Sequence, residues 1–286
     1  KELIFSELKD YSPKVEPIQR SDDFYINANC LLEIALFDLH LGKVANKGEA
    51  EENYDLKIAV RRVRKEVTEL LKRVNLSLVS MIFLPVGQDL LHIDHIKATT
   101  FNDTQMETDT RFHKLIKAAR NILIETIDEL SSIAPVDVVV VVGNHDTTSS
   151  FLIGEILEAW YHNNQNVTIN NSPKLRKYYK YGKNGFQFTH GDQEKHTELG
   201  LIFATEEPSL WASTDYRFCQ LGHFHKQKKT NYVSVDSHQG FKVQILPSLS
   251  SQDRWHYSKG YASLKQAKAF LFDYNEGEIA EFTYTA

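Results

Sequence analysis

The chain has 286 residues, of which 42% are hydrophobic and 25% charged, and its formal net charge is −5. Its 13 glycines and 7 prolines are too few for a collagenous or low-complexity sequence, and this apolar content argues against disorder. The negative net charge excludes a general attraction to nucleic acid or anionic membranes. No apolar run approaches the ~18 residues of a membrane helix, so we predict a globular, cytoplasmic protein with no membrane partner.

The first half of the chain alternates apolar strands with amphipathic helices. Residues 31–37, 78–86 and 136–142 are apolar enough to be buried strands. Apolar residues recur at helical spacing over 56–74 and again over 112–123, and a short helix is predicted near 150–160. This alternation predicts a sheet with parallel strands.

The second half is richer in strands. The predicted strands cover 177–181, 186–189, 216–221, 232–235, 241–246, 267–273 and 278–284. Asn184-Gly185, which favours left-handed conformations, is expected to form a tight turn between the first two of them. Together the two halves predict an α/β protein in which two sheets pack against each other with helices outside.

Polar clusters of the type that binds metals follow five of these strands. In a sheet with parallel strands, loops at the carboxyl ends lie side by side, so distant clusters would meet. Asp38 and His40 are two residues apart, as are His223 and His225, so each pair would point to one side of an extended strand tip. Such a set of carboxylates and imidazoles suits a pair of divalent ions. The clusters are Asp38-Leu39-His40, Asp89-Leu90-Leu91-His92, Asn144-His145-Asp146, His190-Gly191-Asp192 and His223-Phe224-His225.

This series of motifs resembles the calcineurin-like metallophosphoesterase superfamily across residues 36–225. The resemblance implies a four-layer αββα sandwich of two mixed sheets, formed as a single domain over 1–286. Residues 1–24 have a second interpretation, as an N-terminal extension or linker from an upstream domain. The resemblance also implies two metal ions, one held by Asp38, His40 and His225 and the other by Asn144, His190 and His223. Asp89 would bridge them, His145 would be the catalytic histidine, and Asp146 would support it.

The second motif departs from the usual pattern of the superfamily. A glycine normally stands directly before the bridging Asp, whereas here Gln88 separates Gly87 from Asp89. The following Asp-Leu-Leu-His looks like the Asp-Leu-Phe-His of the double-strand-break-repair nuclease branch. That likeness favours Asp89 over Asp94 as the bridge, and it puts His92 at a position near the site.

The resemblance implies a two-metal phosphoesterase that acts through a hydroxide bridging the ions, with His145 as general acid. A DNA or RNA nuclease or exonuclease is the function we expect, with nucleic acid or a nucleotide as the phosphodiester substrate. A phosphomonoesterase, a protein phosphatase, a small-nucleotide phosphodiesterase and an inactive metal-bound scaffold stay open. Manganese is the ion expected first, with iron, zinc, nickel and magnesium as alternatives.

Substrate contacts are expected from loops around the metals. Arg111 lies in the polar stretch that follows the strand carrying Asp89, and arginine matches phosphate through two hydrogen bonds. Arg254 follows the strand after the histidine pair, and His92 is the third candidate. A basic, tyrosine-rich hairpin over 174–183 has two interpretations, a track for nucleic acid or an ordinary solvated sheet edge.

Overall fold

The computed structural model describes residues 28–223, 235–238, 240–252, 254 and 265–286. The predicted extension over 1–24 and the predicted ligand His225 lie outside these residues. No helix within the described ranges is long and apolar enough to cross a membrane.

The described residues form two sheets and five α-helices. In chain order the strands are β1 (Cys30–Ala35), β2 (Val79–Gly87), β3 (Val136–Val141), β4 (Val167–Asn170), β5 (Lys177–Tyr181), β6 (Asn184–Phe188), β7 (Tyr216–Leu221), β8 (Val235–His238), β9 (Phe241–Ile245), β10 (Gln266–Asp273) and β11 (Gly277–Thr285). The helices are α1 (Leu56–Leu71), α2 (Phe112–Ser131), α3 (Thr147–Tyr161), α4 (Leu199–Glu206) and α5 (Pro208–Ser213).

Both sheets are mixed. The first has the order β11-β10-β1-β2-β3-β4, in which β1 to β4 run parallel to one another. The second has the order β5-β6-β7-β9-β8, in which β6, β7 and β9 are parallel. The carboxyl ends of the parallel strands therefore gather at one edge of each sheet, which is where α/β folds bind ligands.

Three apolar clusters separate four layers. Helices α1, α2 and α3 cover one face of the first sheet through side chains such as Val63, Leu123 and Leu157. Phenylalanines fill the space between the sheets, and helices α4 and α5 cover the second sheet around Phe203. This is the four-layer αββα sandwich, so the predicted fold class is confirmed. The phenylalanines between the sheets are Phe37, Phe83, Phe186, Phe188, Phe218, Phe270 and Phe272.

The β5–β6 hairpin corrects one local prediction. Gly182 and Lys183 form its turn, and Gly182 takes the left-handed conformation with φ of 55°. Asn184 instead begins β6, where its buried amide donates to the backbone oxygens of Tyr181 at 3.0 Å and Asp273 at 2.7 Å. The predicted Asn-Gly turn is therefore wrong because the amide of Asn184 ties the hairpin to the first sheet.

Three elements had no counterpart in the sequence prediction. Strand β4 has 4 residues, α4 has 8 and α5 has 6. Elements of this length cover too few turns or alternations to give a clear hydrophobic period. They complete the edge of the first sheet and the outer layer on the second sheet.

A buried acid on α1 makes the stability of the fold depend on pH. Glu66 is fully buried, and neither carboxyl oxygen has a hydrogen-bond partner among the described residues. Burial raises the pKa of Glu66 from 4.5 to about 8 against the opposing charge of Arg62. Because the folded chain holds this proton more tightly than the unfolded chain, the free energy of unfolding falls as pH rises from about 4.5 to about 8.

Replacing Glu66 by methionine is therefore expected to stabilise the fold, mainly at high pH. The free energy of unfolding should rise by about 2–4 kcal/mol at pH 9 and by far less at pH 5, which urea denaturation at both values would measure. Glu69→Met is the matched control, since Glu69 lies three residues along the helix in a surface pair with Lys72, and such pairs contribute little. An equal gain at both pH values would contradict the assignment.

Candidate metal centre

The loops after five strands meet where the two sheets adjoin. Within the first sheet, the backbone N–H of Asp38 donates to the oxygen of Gln88 at 3.1 Å, and that of His40 donates to Asp89 at 2.9 Å. Across the sheets, the N–H of His223 donates to Oδ1 of Asp38 at 3.3 Å. The predicted convergence of distant clusters is therefore present among the described residues.

The backbone at this meeting point is strained. Seven described residues other than glycine have left-handed backbone angles, with φ between 43° and 64°. Five of the seven lie here: Asp38, His40, Gln88, Asp89 and His223. Each such conformation costs about 1–2 kcal/mol for a residue with a side chain. Strain concentrated in this way is typical of functional sites, where geometry matters more than local stability.

Four ligand-type atoms surround one point. Nε2 of His190 lies 2.8 Å from Oδ1 of Asn144 and 3.3 Å from Oδ2 of Asp89. Nδ1 of His223 lies 3.0 Å from the same Asn144 oxygen and 3.1 Å from Nε2 of His190. Ligands about 2.1 Å from one ion are roughly 3.0–3.4 Å apart. These four atoms therefore have the spacing of a coordination shell and could hold one divalent ion.

A second group of possible ligands shares Asp89. Asp38, His40 and Asp89 each present an atom within 4.8 Å of the others, and Nε2 of His40 lies 3.9 Å from Oδ2 of Asp89. All three side chains are buried. Asp89 therefore belongs to both groups, and each group could hold a metal ion. A third group joins His40 to His92 and His145.

The electrostatics of the centre favour a cation. Burial, and then the charge of Asp89, raises the pKa of Asp38 to about 7 despite the opposing charge of His190. Burial acts on Asp89 in the same sense, but His190 and His145 outweigh it and lower the pKa of Asp89. Conversely, Asp89 and Asp38 overcome the effect of burial and raise the pKa of His190 to about 9. The ligand set thus attracts positive charge into a buried space, as a site for divalent ions must.

The ring of His145 is held beside the two groups. Its Nδ1 lies 3.0 Å from the backbone oxygen of His92, which can only accept, so Nδ1 carries a proton. The backbone N–H of His145 donates to Oδ1 of Asp89 at 2.8 Å, and its ring centroid is 4.8 Å from that of His40. This arrangement leaves Nε2 as the atom that can gain or lose a second proton.

Asp146 does not make the contact expected of it. Its Oδ2 accepts from the N–H of Leu91 at 2.8 Å and from the hydroxyl of Ser150 at 2.7 Å, and its Oδ1 accepts from the N–H of Gly143 at 3.3 Å. Burial and the charge of Asp89 raise the pKa of Asp146 to about 7. The described contact that orients the ring of His145 therefore comes from the carbonyl of His92, and Asp146 instead fixes the backbone around the centre.

Of the three residues expected to contact substrate, His92 lies at the centre and the two arginines do not contact it. His92 is buried, and its ring stacks on that of His145 at 5.4 Å between centroids. The loop that leads to Arg111 borders the site, since the N–H of Phe101 donates to the oxygen of His145 at 3.2 Å. Arg111 itself is exposed, and Arg254 pairs with Glu49 at 3.5 Å. No hydrogen bond or ion pair joins either arginine to the described ligands.

Asp94, the alternative bridge, lies outside both ligand groups. Its carboxylate accepts from the N–H groups of Thr148 at 3.0 Å and Ser149 at 2.7 Å at the start of α3. Asp89 therefore joins the described groups and Asp94 does not.

Ser248 begins a polar stretch that the sequence places after the strand following the histidine pair, but its contact with the centre was not predicted. Its buried hydroxyl donates to the backbone oxygen of Asp38 at 2.8 Å. The available signal was its position just after β9, at the same carboxyl edge as the histidines.

Comparisons with known proteins add a weak likeness. No family model matches the chain, and no curated protein matches it. Among solved structures, the chain is similar to a double mutant of Vps29 from Entamoeba histolytica, with a TM-score of 0.33 and 10% sequence identity. The alignment covers 89% of this chain and 99% of that one.

Proposed function

We propose that this chain is a member of the calcineurin-like metallophosphoesterase superfamily and hydrolyses phosphodiesters with two divalent ions. The supporting observation is that Asp89 belongs to two groups of ligand atoms at once, with the ring of His145 beside them. Asp38 and His40 would hold one ion, Asn144, His190 and His223 the other, and Asp89 both. His225, outside the described residues, would complete the first group.

Two divalent ions in this position would supply Lewis acidity and ionise a water molecule near neutral pH. The chain's own residues would do the rest. Nε2 of His145 would give a proton to the departing oxygen, because Nδ1 is already committed to the carbonyl of His92. The backbone N–H of His145 would keep Asp89 oriented while the phosphoryl group is bound.

Nucleic acid or a nucleotide is the substrate class that we propose, because Asp89-Leu90-Leu91-His92 resembles the repair-nuclease motif. We do not propose that the basic hairpin over 174–183 binds the backbone of the nucleic acid. Arg176 pairs with both Glu194 and Glu206, and Tyr179 stacks on Phe83 at 4.1 Å inside the intersheet core. We place the contacts instead at Arg111 and Arg254, since the surface pair of Arg254 with Glu49 is weak enough to exchange for phosphate.

Hydrolysis of two chromogenic substrates tests the reaction class. Metal-stripped protein should be inactive, and added Mn²⁺ should restore turnover of bis-p-nitrophenyl phosphate in preference to p-nitrophenyl phosphate. Preference for the monoester would instead indicate a phosphomonoesterase. If neither substrate turns over while two ions are bound, the chain is a metal-bound scaffold.

End-labelled oligonucleotides test the substrate class. Shortening of a single-stranded DNA or RNA substrate in the presence of Mn²⁺ is the expected result, and the label that is released first gives the polarity. Hydrolysis of a dinucleotide without cleavage of longer strands would contradict a nuclease and favour a small-nucleotide phosphodiesterase.

A further inference from the structure

Gln88 combines a strained backbone with a buried amide that has no hydrogen-bond partner among the described residues. Its backbone is left-handed, with φ of 48°, although it carries a full side chain. That side chain is completely buried, and neither Oε1 nor Nε2 has a hydrogen-bond partner among the described residues. Buried amides are normally satisfied, and each exception in a folded protein calls for an explanation. In the superfamily that the chain resembles, a glycine, which adopts this backbone conformation without strain, usually stands at this position.

The amide of Gln88 lies beside a metal ligand. Its Oε1 is 3.1 Å from the point where a Cβ on Gly222 would stand, and Oδ2 of Asp38 lies against that same point. The backbone oxygen of Gln88 also accepts from the N–H of Asp38 at 3.1 Å. The Gln88 amide and the Asp38 carboxylate therefore share the small space that the missing side chain of Gly222 leaves open.

The oxygen and nitrogen of a glutamine amide are assigned from their hydrogen bonds, and here neither atom has one. Turning the amide by half a rotation would exchange the two atoms and bring the NH₂ donor beside the point that Oδ2 of Asp38 also lies against. We propose that Gln88 is a positioning residue, which donates from Nε2 to Oδ2 of Asp38 and fixes that carboxylate for a cation. This inference rests on the proposed metal centre.

The proposed hydrogen bond would add a donor to the Asp38 carboxylate. Its Oδ1 accepts from the N–H of His223 at 3.3 Å, and its Oδ2 would accept from Nε2 of Gln88. A carboxylate oxygen accepts more than one bond, so both keep capacity for an ion. Metal-ligating carboxylates are usually held by such outer contacts, and losing one typically lowers metal affinity about 10- to 100-fold.

Titration of metal-stripped protein with Mn²⁺ by calorimetry tests the proposal. Gln88→Met keeps the volume and removes the donor, and it should weaken one of two binding steps by about 10- to 100-fold. Gln88→Gly relieves the backbone strain and should show the same loss. Gln244→Met is the matched control, a buried glutamine of the second sheet, and should bind like the parent protein.

A second pair of variants identifies the affected site. Asn144→Ala removes a ligand from the other group only, so it should weaken the step that Gln88→Met spares. Normal Mn²⁺ affinity in Gln88→Gly would overturn the proposal, whether or not Gln88→Met folds. Equal weakening of both steps by Gln88→Gly would also overturn it, since that pattern indicates a general loosening. Failure of the parent protein to bind two ions would count against the metal centre itself.

Discussion

Replacing His145 by alanine is expected to lower kcat by about 100- to 10,000-fold while both metal ions stay bound. The substitution removes the ring nitrogen that we propose as proton donor. Alanine keeps the backbone N–H that donates to Asp89, so the shared ligand should hold its position. Steady-state kinetics with Mn²⁺, together with metal content of the purified variant, would measure both parts of the prediction.

The loss of activity should depend on the leaving group. Hydrolysis of a dinucleotide expels a basic nucleoside alkoxide, which needs a proton, whereas hydrolysis of bis-p-nitrophenyl phosphate expels p-nitrophenolate, which leaves readily without one. The rate on the dinucleotide should therefore fall further. His113→Ala is a suitable control, because His113 is exposed on the first turn of α2. Equal losses on both substrates would contradict a proton-donating role, and loss of bound metal would make His145 a ligand.

The place of the candidate centre could be predicted from the sequence because strand ends have a local signature. Strand β1 ends at Ala35 and β3 at Val141, within two residues of their predicted ends. Residues of metal-ligand type follow both apolar runs, Asp38 directly after the first and Asn144 two residues after the other. Parallel strands then bring the clusters together at their carboxyl ends. This convergence follows from the fold class alone, so it could be predicted without knowing any side-chain contact.

Contacts inside the centre could not be predicted from spacing. The resemblance implied that Asp146 supports His145, which we expected it to do by orienting the ring. Asp146 directly precedes α3, and its oxygens instead accept from the backbone N–H groups of Leu91 and Gly143. The ring is oriented by the carbonyl of His92, and a backbone carbonyl leaves no trace in residue type.

The basic hairpin illustrates a second limit of sequence reasoning. Counting lysines and arginines gives the charge of a segment but not whether that charge is neutralised. Arg176 pairs with two glutamates, Glu194 and Glu206, which lie 18 and 30 residues further along the chain. Glu206 lies on α4 and Glu194 lies in the loop after β6, so only the fold shows that the charge of Arg176 is neutralised.

The second large effect is expected from Asp89→Asn, which should weaken both metal-binding steps together. Oδ2 of Asp89 lies 3.3 Å from Nε2 of His190 and 3.9 Å from Nε2 of His40, one histidine from each ligand group. Asparagine keeps the shape but replaces one oxygen by an NH₂ group that cannot bind a cation, and it removes the shared charge. The loss of affinity should exceed the roughly 10- to 100-fold that an outer contact is worth.

Calorimetric titration with Mn²⁺ would resolve the two steps, and Asp94→Asn is the matched control. The Asp94 carboxylate accepts from backbone N–H groups at the start of α3, so that variant should lose some stability yet bind both ions. A selective loss of one step in Asp89→Asn would mean that Asp89 serves one ion only. Two intact sites in Asp89→Asn, with loss of metal in Asp94→Asn, would place the shared ligand at residue 94, which the geometry of both ligand groups opposes.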